Sequence, residues 1–218
     1  MSVHKRILPV LLILGLVIWV MLPALRQPEG AMLCDWMHPD CISNQWLLVW
    51  VAEQLESGRS ILHNGQYYWP YGDAPVLAGN GSEGVAYLLF HLLLGWPLGV
   101  VGFVSCVLML NGLGGYCLGR AIGADRSGAL IPAATAVVNP YVLTELWAGR
   151  YSQVSIGWML LTLAAWLRLL EKPSHKRALT AGGLWAVTAF FYWYYAWFVA
   201  LGLIGLLGAR AIAKPPTD

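Results

Sequence analysis

The chain has 218 residues, 58% of them hydrophobic and 11% charged, with a formal net charge of +2 and a mean hydropathy of +0.61. Soluble domains carry about 25% charged residues, so this composition excludes an ordinary water-soluble enzyme and points to a polytopic membrane protein. The 13 lysines and arginines stand at the ends of apolar runs and gather in no single patch, which excludes a nucleic-acid partner.

Residues 1–6 are short and basic, and residues 7–25 form a continuous apolar run. A hydrocarbon core about 30 Å thick needs roughly 20 apolar residues as helix, so this run reads as a first span. A cleaved signal peptide is the competing reading. No small-x-small cleavage site follows the run, and Leu33 precedes Cys34 where a lipoprotein signal wants a small residue.

Residues 26–83 are the only long polar segment and read as one large outer loop. It opens with Cys34-Asp35-Trp36-Met37-His38-Pro39-Asp40-Cys41. In an oxidising compartment Cys34 and Cys41 are candidates to close a small ring as a disulfide; two free thiols are the alternative. Residues 44–56 read as an interfacial helix with Trp46, Val49, Trp50 and Leu55 clustered on one side, lying along the membrane surface. The aromatic, turn-rich Tyr67-Tyr68-Trp69-Pro70-Tyr71-Gly72-Asp73 follows.

Residues 84–96 are apolar but only long enough for a short or re-entrant helix. Spans are then expected at about 98–119, 127–147 and 154–170, the second kinked at Asn139-Pro140. The apolar stretch from 178 to 213 is about twice what one span needs. It is expected to fold back near Tyr192-Trp193-Tyr194-Tyr195, giving spans at about 178–193 and 195–212. The predicted fold class is therefore an all-α polytopic transmembrane helical bundle of about six spans, one domain over residues 1–218, whose large outer loop contains short interfacial helices.

Charge placement orients it. With the N-terminus in the cytoplasm, ten basic residues fall inside (Lys5, Arg6, Arg120, Arg126, Arg168, Lys172, Lys176, Arg177, Arg210, Lys214) and three outside (Arg26, Arg59, Arg150). That is a positive-inside bias, and a five-span count would put Arg210 and Lys214 on the wrong side. The expectation is a multi-pass protein of a bacterial inner (cytoplasmic) membrane with both termini cytoplasmic.

Eight of the eleven acidic residues then face outward: Glu29, Asp35, Asp40, Glu53, Glu56, Asp73, Glu83 and Glu145. Asp35 and Asp40 lie just beyond the first span, where a carboxylate can act as a general base or help hold a divalent cation; simple solvated loop acids are the alternative. His38 and His63 share the loop without paired metal-ligand spacing. In the next outer turn Arg150 suits a phosphate or pyrophosphate head group, or else an ion pair with Glu145. Cys106 and Cys117 read as packing residues. No Walker motif, nucleophile elbow, zinc spacing or dinucleotide fingerprint is present, and no span carries the mid-membrane charges of an ion or solute path.

The order of these features is familiar. A basic-flanked span leads to an outer loop with early acids, then Asn44-Gln45-Trp46 with Trp50-Val51-Ala52-Glu53, then Tyr68-Trp69-Pro70-Tyr71-Gly72. Asn139-Pro140-Tyr141, Trp147-Ala148-Gly149-Arg150-Tyr151 and Tyr192-Trp193-Tyr194-Tyr195 follow. This resembles the N-terminal half of bacterial multi-span proteins of the GT-C glycosyltransferase superfamily, including its YfhO-like group. The resemblance implies transfer of a sugar from a polyprenyl-phosphate donor on the outer face of the membrane. It implies Asp40, or Asp35, as catalytic base or as ligand of a divalent metal ion (Mg or Mn). Arg150 and Tyr151, with Trp69 and Tyr71, are then the candidate substrate contacts. Such enzymes have more spans than this chain, so the expected partners are the lipid bilayer, the polyprenyl-phosphate-linked sugar and a second membrane subunit supplying further spans. A non-catalytic membrane subunit or remnant that binds a lipid or a partner protein is the alternative.

Overall fold

A computed structural model describes residues 4–26, 33–35, 37–64, 74–75 and 81–212. Within them the chain is helical apart from one small antiparallel pairing of His63–Asn64 with Ala74–Pro75.

Helix α1 (His4–Arg26) buries Ile13, Val17, Met21 and Ala24, spaced so that they share one face. Leu8, Leu11, Leu12, Ile18 and Trp19 on its other faces are just as apolar and are exposed. An apolar surface all round a helix suits a hydrocarbon solvent.

Helix α2 (Pro39–Glu56) starts earlier than the expected 44–56 because its N-terminus is already built into the sequence. Pro39 has the right φ for the first helical position, and His38 Nδ1 accepts the Asp40 amide at 3.3 Å as the cap. Gln45, Leu48, Val51 and Ala52 are buried, and the helix packs against α3 (Gly81–Leu94). The close fit depends on Gly84, where a Cβ would meet the Val51 side chain, with Val51 Cγ2 at 3.0 Å. The expected surface helix is thus half buried: α3 supplies an apolar partner that the sequence pattern of α2 alone does not reveal.

The central element is α4 (Leu98–Ala121), which packs on α1, α3, α5 (Leu130–Val138) and α8 (Gly157–Glu171). Its glycines let backbones approach: a Cβ on Gly114 would lie 2.7 Å from the Gly157 carbonyl oxygen. The kink expected at Asn139-Pro140 is a complete break between α5 and α6 (Pro140–Trp147). Asn139 mends both sides, its Nδ2 donating to Thr135 O and its Oδ1 accepting from Val142 N, each at 2.9 Å.

A second break separates α7 (Tyr151–Val154) from α8. Helix α9 (His175–Phe191) begins at the Ser174 cap, and Arg177 donates to the carbonyls of Arg168 and Lys172 at 2.7 and 3.0 Å, closing the end of α8. A third break at Tyr192 precedes α10 (Trp193–Ile212), which turns back onto α9; Trp185 Nε1 donates to Ala196 O at 3.0 Å.

Among the described residues, three stretches are long and apolar enough to cross a membrane: Ile7–Arg26, Leu98–Ala121 and Tyr151–Glu171. Ser82–Leu94 and Trp193–Ala209 are shorter apolar helices. The protein is thus an all-helical, membrane-type bundle.

Candidate functional site

Three parts of the chain distant in sequence meet at one end of the bundle: the start of α2, the 148–150 turn, and the corner between α9 and α10. Cys34 and Cys41 are joined as a disulfide with Cα atoms 5.6 Å apart. Gly149 lies against it with φ +74, and a Cβ there would be 2.7 Å from Cys41 Cα and 3.1 Å from Cys34 Sγ. A left-handed residue pressed this closely on a neighbour requires glycine. Two hydrogen bonds hold the contact, Asp35 N to Trp147 O at 2.8 Å and Asn44 Nδ2 to Gly149 O at 2.9 Å.

This docking brings Asp40 of α2 beside Arg150. The guanidinium Nε lies 3.9 Å from Asp40 Oδ2 and 2.6 Å from Glu145 Oε2. Glu145 is almost buried and Arg150 about one-third exposed, with side-chain exposures of 9% and 32%. The Arg150 Nε–Glu145 Oε2 approach is an ion contact without an aligned hydrogen bond, so this arginine is charge-paired on its inner side and open on its outer side. Of the two readings of Arg150 made from the sequence, the ion pair with Glu145 is formed.

A cleft of about 350 Å³ opens in front of this pair, lined by Asp40, Asn44, Arg150, Ser152 and Gln153 and walled by the 189–194 corner. Tyr192, Trp193 and Tyr194 form the aromatic wall, with Trp193 and Tyr194 stacked at 3.9 Å between ring centroids. The corner is tied down by Tyr195, whose hydroxyl contacts Tyr141 Oη at 3.0 Å and donates to the carbonyl of Gln153. Ala189 and Trp193 also line an apolar groove of about 490 Å³ between α9 and α10, with Gly182, Ala186 and Ala200 along it. Polar cleft and apolar groove therefore share two lining residues.

The other predicted site residues are placed differently. Asp35 does not line the cleft; its Oδ1 accepts the Met37 amide at 3.0 Å, an Asx turn that shapes the disulfide loop. Tyr151 is not a cleft residue either. It is buried at 2% exposure, its hydroxyl 3.9 Å from Cys34 Sγ, because the short α7 turns it into the core. Trp69 and Tyr71 lie outside the described residues. Asn44, Gln153 and the 192–194 corner were missed as site residues; the overlong apolar stretch that had to turn near Tyr192 was the signal for the last.

Glu83, expected in a solvated loop, is 1% exposed in the first turn of α3. Burial pushes its carboxyl well above the usual carboxylate range, and a hydrogen bond with Ser152 opposes that rise. Among the described residues its Oε1 has no hydrogen-bond partner.

Among the described residues no three His, Cys, Asp or Glu side chains come together as a metal site. Among the described residues the cleft offers one carboxylate, Asp40, and that faces a guanidinium. This donor set does not fit the expected divalent cation, and no step below is routed through one. In comparisons with known proteins, no family model, no curated protein and no solved structure matches the chain.

Proposed function

We propose that the protein is a GT-C-like membrane glycosyltransferase, or a module of one, that transfers a sugar from a polyprenyl-phosphate donor at the outer face of a bacterial inner membrane. In this reading α1, α4, α5 with α6, α7 with α8, α9 and α10 make six spans, both termini are cytoplasmic and the Asp40–Arg150 cleft faces outward. The positive-inside bias supports that orientation.

The observation that carries the reading is that a charged cleft and an apolar groove share Ala189 and Trp193 in their walls. An amphiphile with an anionic head and a hydrocarbon tail matches both halves. Arg150 suits the phosphate. Asp40 is the only carboxylate among the described residues lining the cleft and takes the base role. The acceptor hydroxyl would attack the anomeric carbon and give its proton to Asp40. The bond from that carbon to the phosphate oxygen would break, and the phosphate would leave with the electron pair, its charge met by the guanidinium.

The test is sugar transfer by the full chain in vesicles containing a labelled polyprenyl-phosphate sugar. Asp40→Asn is expected to lose product by about 100-fold or more at equal protein level, the scale of general base catalysis. Undiminished product in this variant sinks the enzyme reading. The second reading, a non-catalytic subunit that binds a lipid or partner protein, draws on the 2.6 Å Arg150–Glu145 contact, which by itself explains the arginine. It predicts lipid binding without product.

A further inference from the structure

Asp40 and Arg150 are each one residue from two groups that pack together across the site. Asp40 precedes Cys41, and Arg150 follows Gly149. The disulfide closes a short ring, its cysteines seven positions apart, that carries Asp35 and Asp40. Gly149 packs on its outer side with no room for a Cβ, and Gln45 Nε2 donates to Cys34 Sγ at 3.0 Å from the α2 side. Cys41 is fully buried while Cys34 is partly exposed, so a reductant has access from one side.

We propose that the Cys34–Cys41 disulfide is a redox-controlled clamp that assembles the cleft by pressing the 148–150 turn into register, so that reduction separates Asp40 from Arg150. Two physical consequences of reduction act together. The ring constraint on residues 34–41 is lost, returning backbone freedom to the segment before α2. The two sulfurs, no longer bonded, must move to van der Waals separation beside Gly149, where even a Cβ would lie only 3.1 Å from Cys34 Sγ. The step balances with a dithiol reductant: the Cys34–Cys41 sulfur–sulfur bond breaks, each cysteine gains one electron and one proton, and the dithiol becomes a disulfide. An oxidising exterior holds the clamp closed.

The effect on ligand binding rests on the phosphate reading of the cleft, whereas the effect on structure does not. The experiment uses the full chain in lipid nanodiscs, with and without dithiothreitol. It reads hydrogen exchange by segment and binding of inorganic pyrophosphate, with the Cys34→Ser/Cys41→Ser double variant alongside. Reduction is expected to raise exchange across 145–154 by about tenfold or more while 98–121 stays protected, and to weaken pyrophosphate by about tenfold. The double variant is expected to match the reduced protein and to ignore dithiothreitol. Unchanged exchange across 145–154 overturns the clamp. Raised exchange with unchanged pyrophosphate affinity overturns its control of the cleft. If the oxidised protein binds no pyrophosphate, the phosphate reading falls, and exchange alone still decides whether the clamp exists.

Discussion

Asn111, in the middle of the central helix, repairs the break in a neighbouring span at Gly157. Its Oδ1 accepts the Gly157 amide and its Nδ2 donates to the Val154 carbonyl, both at 2.7 Å and fully buried. Backbone groups freed by a helix break have no water to turn to in an apolar interior. One side-chain amide, with both a donor and an acceptor, satisfies both.

Asn111→Leu should therefore be strongly destabilising. It strands the Gly157 amide, which costs about 1–3 kcal/mol, and takes one of two donors from the Val154 carbonyl, which keeps the Ile156 amide. Thermal unfolding in detergent is the measurement. A midpoint equal to the parent's would mean that the break is supported by something else.

Gly149→Ala combines a left-handed backbone, worth about 1–2 kcal/mol against a residue with a side chain, with a collision against Cys41 and Cys34. Gly123→Ala is the matched control: its φ is +96, but none of the described residues lies within 4 Å of the added Cβ. Gly149→Ala is expected to lower stability clearly more than Gly123→Ala. Equal losses would show that the turn is not pressed on the disulfide.

Thr162 and Thr188 join α8 to α9 through hydroxyls 2.8 Å apart, and both are buried. Each also reaches back to its own helix, Thr162 to Trp158 O and Thr188 to Leu184 O, at 2.8 Å. Polar pairs between membrane helices couple by about 0.6 kcal/mol on average. A double-mutant cycle with Thr162→Val and Thr188→Val should return a favourable coupling of that order. Strict additivity of the two single losses would remove the pair from any account of helix packing.

Glu83 makes the stability of the fold depend on pH. Burial raises its folded carboxyl well above the usual carboxylate range, so the folded state holds more protons than the unfolded state over the pH window between the ordinary and the raised titration. Stability must then fall as pH rises through that window. Glu83→Gln keeps a neutral group of the same shape and removes the titration. The unfolding midpoint of this variant should lie above the parent's at neutral pH, and its decline from acid to neutral pH should be shallower. Parallel pH profiles would place an ionised, compensated carboxylate at this position.

Ala189→Trp fills the junction shared by the cleft and the groove. If a lipid phosphate binds with its head at Arg150 and its tail along the groove, this variant should lose a polyprenyl-phosphate ligand while inorganic pyrophosphate still binds. Equal loss of both would locate the blockage in the cleft. Retention of both would take the tail out of the groove.

Much of this protein was legible from its composition and periodicity. A chain with so few charges and such long apolar runs has only the hydrocarbon interior as a solvent for its surface, and helices are the form in which such segments satisfy their own backbones. The break at Asn139-Pro140 and the turn near Tyr192 follow from local chemistry: proline has no amide to donate, and the apolar stretch there is too long for one crossing. The tertiary structure decided what long-range contacts decide. It drew Asp40 and Arg150 to one cleft and left Asp35 and Tyr151 out of it. It buried Glu83 and closed the broken span with Asn111. The Asp40–Arg150 pairing and the placements of Tyr151, Glu83 and Asn111 have no local signature, because each depends on a partner more than forty residues away (Asn111 and Val154 are 43 apart, Cys34 and Tyr151 117). Hydrophobic patterning says which faces are apolar; only packing says which polar group each buried face must bring with it.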